Sequence, residues 1–599
     1  MNNKQHSING LKFYSGLAAG INNLLDYKNK LDEINVYPVP DGDTGTNMCF
    51  TLLPVVEECE KQISASISDS LDAIADTALD SARGNSGTII AQFFHGMRKS
   101  VSGLDVISVE QFSSALNDGY KSAKDSLLNP AEGTIITVMR EVANFSMELA
   151  QKENINFELF LDKCYHHSIQ SLEETKTILK ILRKSDVVDA GALGFVLLIQ
   201  GWLNSVQQNT KIQSHHIDIS YDHDKIDSLK KDVDFTIKNK FCTECAIEGN
   251  NINKIELKEM IKNLGDSMVV AGTKNRVKIH IHTNSPAKLY KICGAYGKVK
   301  DRKVDDMTKQ EHTIHHNESG GIAIVVDSGA DIPEEYANEI QVVPVRYSFG
   351  NQQHIDKVTQ STSEFYQQMK TDSNHPKTSQ PTPGDFKKIY NFISSHYNSI
   401  ISIHLSKKMS GTYQSGINAS KSVKIDNIQV IDSYSASVGL GLLAIYAVDL
   451  KQSGKKYKEI VKKIQAHREK TQVFLMLKDL DYVVKGGRLP SKIKTLANLL
   501  RLRPVLGSKK GKLTARGVLY GHRNRVEKFV NFLSKKINPE KKYHIMIAHA
   551  NDYENGEKLL KLLIHNHSNI LKHYLLELGG ALGAHAGPGG LAVGIQERK

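Results

Sequence analysis

The chain has 599 residues, 40% hydrophobic and 24% charged, with a formal net charge of +12; that length calls for three or four domains, and the absence of any apolar run of about 18 residues excludes a membrane-spanning helix. Six scattered cysteines and an N-terminus without an apolar leader point to a reducing cytoplasm rather than a disulfide framework. The basic excess is spread along the chain, much of it in Lys-rich stretches such as 451–470, and reads as a solvated face; no nucleic-acid partner is expected, and at most a peripheral attraction to an anionic membrane.

Residues 8–205 read as mainly helical. Leu71, Ile74, Ala75, Ala78 and Leu79 form one stripe at helical spacing; similar stripes recur at 110–124 and 171–182, and 192–203 is apolar nearly all round, as a buried helix is. Glycine-bearing loops interrupt them at 41–46, 83–87, 130–134 and 189–191. The first is the most informative. Residues 35–48 read Asn-Val-Tyr-Pro-Val-Pro-Asp-Gly-Asp-Thr-Gly-Thr-Asn-Met, with Pro38 and Pro40 holding the approach extended. Asp41 and Asp43 repel each other unless a cation or proton sits between them. Hard oxygen ligands on a tight turn suit Mg²⁺, which shares itself with substrate phosphates. An EF-hand is disfavoured, since neither its sixth-position Gly nor its twelfth-position Glu is present. Taken alone, Asp-Gly-Asp is also an ordinary surface turn.

Residues 206–224 are polar and read as a linker. From 232 to about 298 the pattern becomes that of a small α+β domain: Val233–Ile237 and Val277–His282 alternate as half-buried strands do, and Leu257–Leu264 fits a short helix. Strand alternation puts His280 and His282 on one face at a metal-ligand spacing; Cys242 would complete a set of three, with Cys245 as an extra candidate. Packed or surface histidines are the plain alternative. Residues 305–319 form a second, His-rich linker. From 321 the chain restarts with Gly-Ile-Ala-Ile-Val-Val-Asp, an apolar run of the kind found in buried parallel strands, with helix expected from about Pro333. Ser399–Leu405, Ile428–Asp432 and His544–His549 read the same way, so an α/β domain with a largely parallel sheet is expected.

The loops at 41–46, 82–87 (Ala-Arg-Gly-Asn-Ser-Gly), 130–137 (Pro-Ala-Glu-Gly-Thr-Ile-Ile-Thr) and 186–194 (Asp-Val-Val-Asp-Ala-Gly-Ala-Leu-Gly) together resemble the ATP-binding DhaL component of dihydroxyacetone kinase, and more closely the N-terminal domain of the bacterial fatty acid kinase. That resemblance implies a helical barrel or bundle over 1–205 that binds ATP and Mg²⁺. Asp41 and Asp43 would hold the metal. Asn35 stands where a further ligand would sit, in place of the family's third acidic residue. Thr44, Asn47, Asn85, Ser86 and Gly87 would meet phosphates at helix starts, Gly133 and Thr134 would line the nucleotide, and Asp189 and Gly191 would close over its adenine or ribose. The segment 225–305 resembles the middle domain of the fatty acid kinase, in which a Cys-and-two-His site is implied: Cys242, His280 and His282, for Zn²⁺ or a similar ion. Lys303–Met307 belongs to the same resemblance. Residues 320–599 resemble the DegV family of fatty-acid-binding proteins through Val326–Asp331, Thr378–Thr382, Leu405–Gln414, Asp432-Ser433, Lys485–Arg488 and His585–Gly589. There Thr378, Ser379, Ser410 and Gly411 would meet a fatty acid carboxylate, His585 would lie beside the acyl phosphate, and Arg488 would stabilise charge near the site.

The reading that follows is a fatty acid kinase, transferring the ATP γ-phosphate to a carboxylate held in the DegV-like domain, with Asp41, Asp43, His585 and Arg488 as the catalytic set. The alternatives are a dihydroxyacetone (glycerone) kinase-like enzyme and a non-catalytic lipid-binding protein. A homodimer is the expected assembly, with an acyltransferase of phospholipid synthesis or a separate DegV-family carrier as further partner.

Overall fold

The computed structural model describes residues 6–38, 42–152, 155–207, 237–308, 321–394, 397–492, 494–495, 502–521 and 523–598. Two units divide the chain, Met1–Glu311 and His312–Lys599.

The first unit opens on strand β1 (Ser7–Asn9), paired antiparallel with β2 (Val106–Ser108). The helices are α1 (Gly10–Glu33), α2 (Thr44–Glu57), α3 (Ile67–Ser81), α4 (Gly84–Val101), α5 (Val109–Ser126), α6 (Ile135–Ala150), α7 (Phe157–Ile178), α8 (Lys180–Ser185) and α9 (Ala190–Val206). Polar caps start several of them: Asn9 Oδ1 accepts from Lys12 N, and Ser108 and Gln111 form a reciprocal capping box on α5. Helix α9 is buried nearly all round, as its sequence predicts. Its Trp202 packs against Phe13 at 5.2 Å and Phe112 at 5.5 Å between ring centroids, and burying each such side chain contributes about 1.5–3 kcal/mol. A Cβ on Gly201 would lie 2.1 Å from the Gly20 nitrogen, so α1 and α9 touch backbone to backbone because both positions are glycine. The stripe read at 171–182 is broken. Leu179 is extended between α7 and α8, beside Gly133, where a Cβ would come within 2.9 Å of it.

The sheet part of this unit contains β3 (Phe241–Glu248), β4 (Gly265–Gly272), β5 (Arg276–Thr283) and β6 (Lys298–Asp306), antiparallel in the order β4-β5-β3-β6. Cys245, Ile247, Ile279 and Ile281 join a buried cluster with Leu257, Leu289 and Cys293 from the helices Lys254–Ile261 and Pro286–Gly294. The sheet also meets the helices. Gly272 N donates to Gln92 Oε1 of α4 at 2.8 Å, Leu128 N donates to Met268 O at 3.2 Å, and Arg276 pairs with Asp80 of α3. The linker expected at 206–224 and the strand expected at 233–237 lie almost wholly outside the described residues. Residues 305–306 end β6 rather than open a linker.

The second unit has three sheets among its described residues. β7 (Ile322–Asp327), β8 (Ile340–Val343), β12 (Ser399–His404) and β13 (Asn427–Asp432) form a parallel sheet in the order β13-β12-β7-β8. β9 (Arg346–Phe349), β10 (Gln352–Ile355) and β11 (Lys377–Ser379) form a small antiparallel one. β14 (Thr471–Met476), β15 (Leu502–Lys509), β16 (Lys512–Tyr520), β17 (Lys542–His549), β18 (Ile570–Glu577) and β19 (Leu591–Arg598) form the third, ordered β16-β15-β14-β19-β17-β18. Here the largely parallel expectation is corrected: within this third sheet only β17 and β18 run parallel. An apolar run such as His544–His549 signals burial on both faces, which a central antiparallel strand also meets. The helix expected from Pro333 is a 3₁₀ turn, Glu334–Tyr336, that leads into β8. The apolar helix Val438–Gln452 packs against strands of both large sheets.

Candidate functional site

Residues directly opposite in neighbouring strands point to the same face. In β3, Cys242 faces His282 on β5 and Asp305 on β6, and Glu244 faces His280 on β5 and Lys303 on β6. Six polar side chains thus form a grid of two rows on one sheet face, while Cys245 turns into the core, its Sγ 3.9 Å from that of Cys293. Glu244 is the hub. Its Oε1 accepts from Lys303 Nζ at 3.1 Å and from Gly84 N, at the start of α4, at 2.9 Å, and lies 3.2 Å from His280 Nδ1. Burial raises the cost of its charge, but Lys303 and His280 hold its carboxyl well below the usual range. Cys242, His280 and His282 each place a ligand atom within 4.8 Å of the others, and His280 Nε2 is buried with no hydrogen-bond partner. One sulfur and two imidazole nitrogens, one ring oriented by a carboxylate, are a donor set that fits a zinc-type cation.

This grid and the first glycine loop share one pocket. Cys242, His280, His282 and Lys303 line it from the sheet; Asn35, Asp43, Thr44, Asn47, Asn85 and Ser86 line it from the helices. Asp43 precedes α2, whose first turn is tied back by Thr46 N and Oγ1 donating to Asp32 at 2.9 and 2.7 Å. Burial pushes the Asp43 carboxyl up, while Lys303 and a hydrogen bond from Asn47 pull it back. Gly84 has φ +60°, and a Cβ there would sit 2.3 Å from Asn47 Nδ2. Gly87 is pressed against Thr51, where a Cβ would lie 2.1 Å from the hydroxyl. The starts of α2 and α4 therefore converge, with their amides and the Ser86 hydroxyl suited to phosphate oxygens. Asn85 Oδ1 is buried without a partner. Asp41 lies outside the described residues.

The third and fourth loops stand apart from the pocket lining. Thr134 caps α6 and donates to Ala131 O at 2.7 Å, and Gly133, at φ +83°, donates to Thr137 Oγ1 at 2.8 Å. Asp189 braces two helix starts. Its Oδ2 accepts from Ile135 N at 3.1 Å and Ala192 N at 2.8 Å, joining the starts of α6 and α9. Burial raises its carboxyl to about 6 against those bonds. Gly191 approaches the site more closely: a Cβ there would be 3.5 Å from Ser86 Oγ.

The second unit holds a separate cavity of about 210 Å³. Leu405, Val473, Leu475, Leu477, Leu578 and Leu582 supply apolar wall; Thr378, Ser379, Ser410, Gly411, Arg488 and His585 gather in the same lining. Thr378 Oγ1 is 3.2 Å from His585 Nε2, and Ser410 Oγ is 2.8 Å from Thr412 Oγ1. Burial, then Arg488 and His375, lowers the His585 imidazole to about 4, and its Nδ1 is buried without a partner. Gly411 and Gln380 touch, since a Cβ at 411 would meet Gln380 Oε1 at 2.1 Å. Arg488 is exposed and donates to Gly486 O at 2.6 Å. A Ser-His-Asp connectivity also occurs, with Ser402 Oγ 2.6 Å from His404 Nε2 and His404 Nδ1 3.1 Å from Asp327 Oδ2. All three are fully buried and none lines the cavity, so they hold β7 to β12 and offer no nucleophile.

Glu244 is given no role from the sequence, and Lys303 and Asp305 enter it only as part of the Lys303–Met307 resemblance. Glu244, Lys303 and Asp305 repeat the i, i+2 spacing that singled out His280 and His282, and in strands that share a sheet the repeat marks one face.

Three family models match the chain: the DAK2 domain over 38–204, the middle domain of a fatty acid kinase-like family over 238–314, and the DegV family over 321–598. The chain is 32% identical over 324 residues to an uncharacterized protein of Staphylococcus epidermidis, covering 53% of this chain and 58% of that one. It is 29% identical over 353 residues to one of Staphylococcus saprophyticus, covering 57% and 62%. It thus spans less than two thirds of these relatives' length. Among solved structures it is similar to a fatty-acid-binding DegV family protein from Thermus thermophilus, at 25% identity and TM-score 0.44, covering 46% of this chain and 100% of that one. It is likewise similar to DegV, a fatty acid binding protein from Bacillus subtilis, at 25% identity and TM-score 0.43, covering 47% and 100%. The chain accordingly carries a DAK2 domain, a fatty acid kinase-like middle domain and a DegV-family domain, in that order.

Proposed function

We propose that the chain is a fatty acid kinase. ATP would bind in the pocket of the first unit, and its γ-phosphate would pass to the carboxylate of a fatty acid held in the cavity of the second, giving acyl phosphate and ADP. The observation that carries this reading is the pairing, in one polypeptide, of a polar pocket at two helix starts around a buried aspartate with a largely apolar cavity whose lining includes Thr378, Ser410 and His585. The DAK2 and middle-domain matches support the kinase half, and the DegV match supports the lipid half.

Each residue has a task that phosphoryl transfer needs, which is mostly positioning and charge neutralisation. Asp43, with Asp41 and Asn35, would hold Mg²⁺, which when bound offsets charge on the phosphate oxygens. Ser86 and the first amides of α4 would cradle phosphate, and Asn47 orients Asp43. Cys242, His280 and His282 would hold a zinc-type cation facing the same pocket. In the cavity, the Thr378 and Ser410 hydroxyls would fix the carboxylate, and the neutral His585 would stand beside it with Arg488 at the rim. No covalent enzyme intermediate is required. The two substrates would meet within one chain or across a homodimer, and the tether raises their effective concentration in either case.

The test is hydroxylamine trapping of acyl phosphate from oleate or palmitate with ATP and Mg²⁺. Hydroxamate should form with the wild-type chain and be lost in Asp43→Ala. Turnover of dihydroxyacetone in place of either fatty acid would replace this reading with a small-ketone kinase, and calorimetry showing no ATP binding would leave a lipid carrier.

A further inference from the structure

The pocket of the first unit contains a cation to which neither the sequence nor the kinase reading gives a task. Among the described residues lining it, Lys303 is the one lysine or arginine. Its side chain is 22% exposed and is gripped from one side: Nζ lies 3.1 Å from Glu244 Oε1 and 3.1 Å from Asp305 Oδ2. An ammonium carries three N–H donors, and Lys303 lines the pocket beside these two carboxylates.

We propose that Lys303 meets the terminal phosphate of the bound nucleotide and that Glu244 positions it to do so. This rests on the kinase reading and adds to it a residue outside the glycine loops. Three observations carry it. First, the Glu244 oxygen that holds Lys303 also takes the N–H of Gly84, which keys the ammonium to the helix start where phosphate oxygens would sit. Second, the register of β3 and β6 fixes both side chains on the sheet face that lines the pocket, so the cation is preorganised rather than swung in from solvent. Third, the charges favour it: magnesium leaves the triphosphate net negative and the pocket adds the Asp43 carboxylate, so the Lys303 ammonium offsets charge there alongside any cation held by Cys242, His280 and His282. Nearby carboxylates outweigh burial and keep Lys303 protonated.

The alternative is that Lys303 only neutralises Glu244. A structural ion pair would weaken every nucleotide alike, whereas a phosphate contact discriminates by phosphate number. Calorimetry on the full chain with Mg²⁺ and ATP, ADP or AMP separates the two. In Lys303→Met the ATP dissociation constant should rise about ten- to a hundredfold, as loss of a charged hydrogen bond implies, while that of AMP moves less than about twofold. Lys303→Arg should recover part of the preference. Equal weakening of ATP and AMP, or unchanged ATP binding, overturns the assignment. Lys303→Gln, which keeps a donor for Glu244, repeats the measurement if the methionine variant does not fold. Selective loss of ATP binding in a chain that makes no acyl phosphate supports the lysine and removes the fatty acid acceptor; a wild-type chain that binds no nucleotide overturns both.

Discussion

The Nε2 atom of His585 lies 3.2 Å from the Thr378 hydroxyl across 207 positions of sequence. The pair sits in the cavity lining, and burial holds the imidazole at about 4 against an ordinary 6.5. Between those values the unfolded chain binds the proton and the folded chain does not. His585 therefore favours the folded state above about pH 6.5 and progressively loses that contribution as pH falls toward 4. A carboxylate brought against the ring favours its charged form and raises its pKa. Binding of oleate at pH 5.5 should then take up protons, visible as a buffer-dependent enthalpy that vanishes in His585→Gln. An enthalpy independent of buffer would place the carboxylate elsewhere.

Glu244 ties three partners to one oxygen. Glu244→Ala would leave Lys303 with Asp305 alone, His280 without its carboxylate and the Gly84 N–H unpaired, a change that costs about 1–3 kcal/mol for the lost buried acceptor. Glu244→Gln, which keeps an acceptor, should cost less. Because the Glu244 carboxyl is held well below its ordinary 4.5, its contribution is present above that pH and is lost as pH falls below it. Denaturant unfolding of the full chain measures all three; a loss under about 1 kcal/mol in the alanine variant would mean solvent reaches the site freely.

Two glycines with positive φ give a matched test of the pocket. Gly84→Ala adds backbone strain of about 1–2 kcal/mol and drives a methyl group into Asn47. Gly103, at φ +75°, has nothing within 4 Å of where its Cβ would stand, so Gly103→Ala carries similar strain with no clash. Both should lower thermal stability, but only Gly84→Ala should weaken ATP binding.

Metal content discriminates among the cysteines. The purified chain should carry about one zinc-type equivalent per protomer, lost in Cys242→Ser and in His282→Ala and retained in Cys245→Ser. Burial raises the Cys242 thiol, so the chelator-treated chain should alkylate slowly at neutral pH despite partial exposure at that residue. Equal metal in all variants would dismiss the site.

The sequence marked candidate residues more readily than their assembly. Asp43, His280 and His282 could be read because short-range rules apply to them: a carboxylate on a glycine turn, and two imidazoles two apart in a strand. Helix α9 was visible because it is apolar all round. That Asp43 and His282 line one pocket was hidden, because nothing local encodes a contact spanning some 240 positions. Lys303 was obscured by the basic run around it, where Lys298, Lys300 and Arg302 look like a solvated strand. Asp189 has a structural part that its sequence did not signal. Its loop is glycine-bearing like the others, and one of its carboxylate oxygens, Oδ2, accepts from two helix starts. In the second unit, apolar runs mark buried strands without giving their direction, so β17 reads the same beside its parallel neighbour β18 and its antiparallel neighbour β19.

The hydrogen bond from Gly84 to Glu244 determines where this polypeptide can be cut. Family boundaries fall between 204 and 238, a natural place to truncate. A fragment ending there would keep Asp43, Asn47 and Ser86 but forfeit the opposing wall, and would expose the flank of α4 that Gly272 covers through Gln92. Such a piece should be soluble only with difficulty and should hold nucleotide poorly, while a fragment carried through to Met307 should behave as the whole does toward ATP. The smallest inheritable part of this protein is therefore a helical lobe together with its sheet, and exchanging either one alone between relatives would break the seam that the pocket straddles.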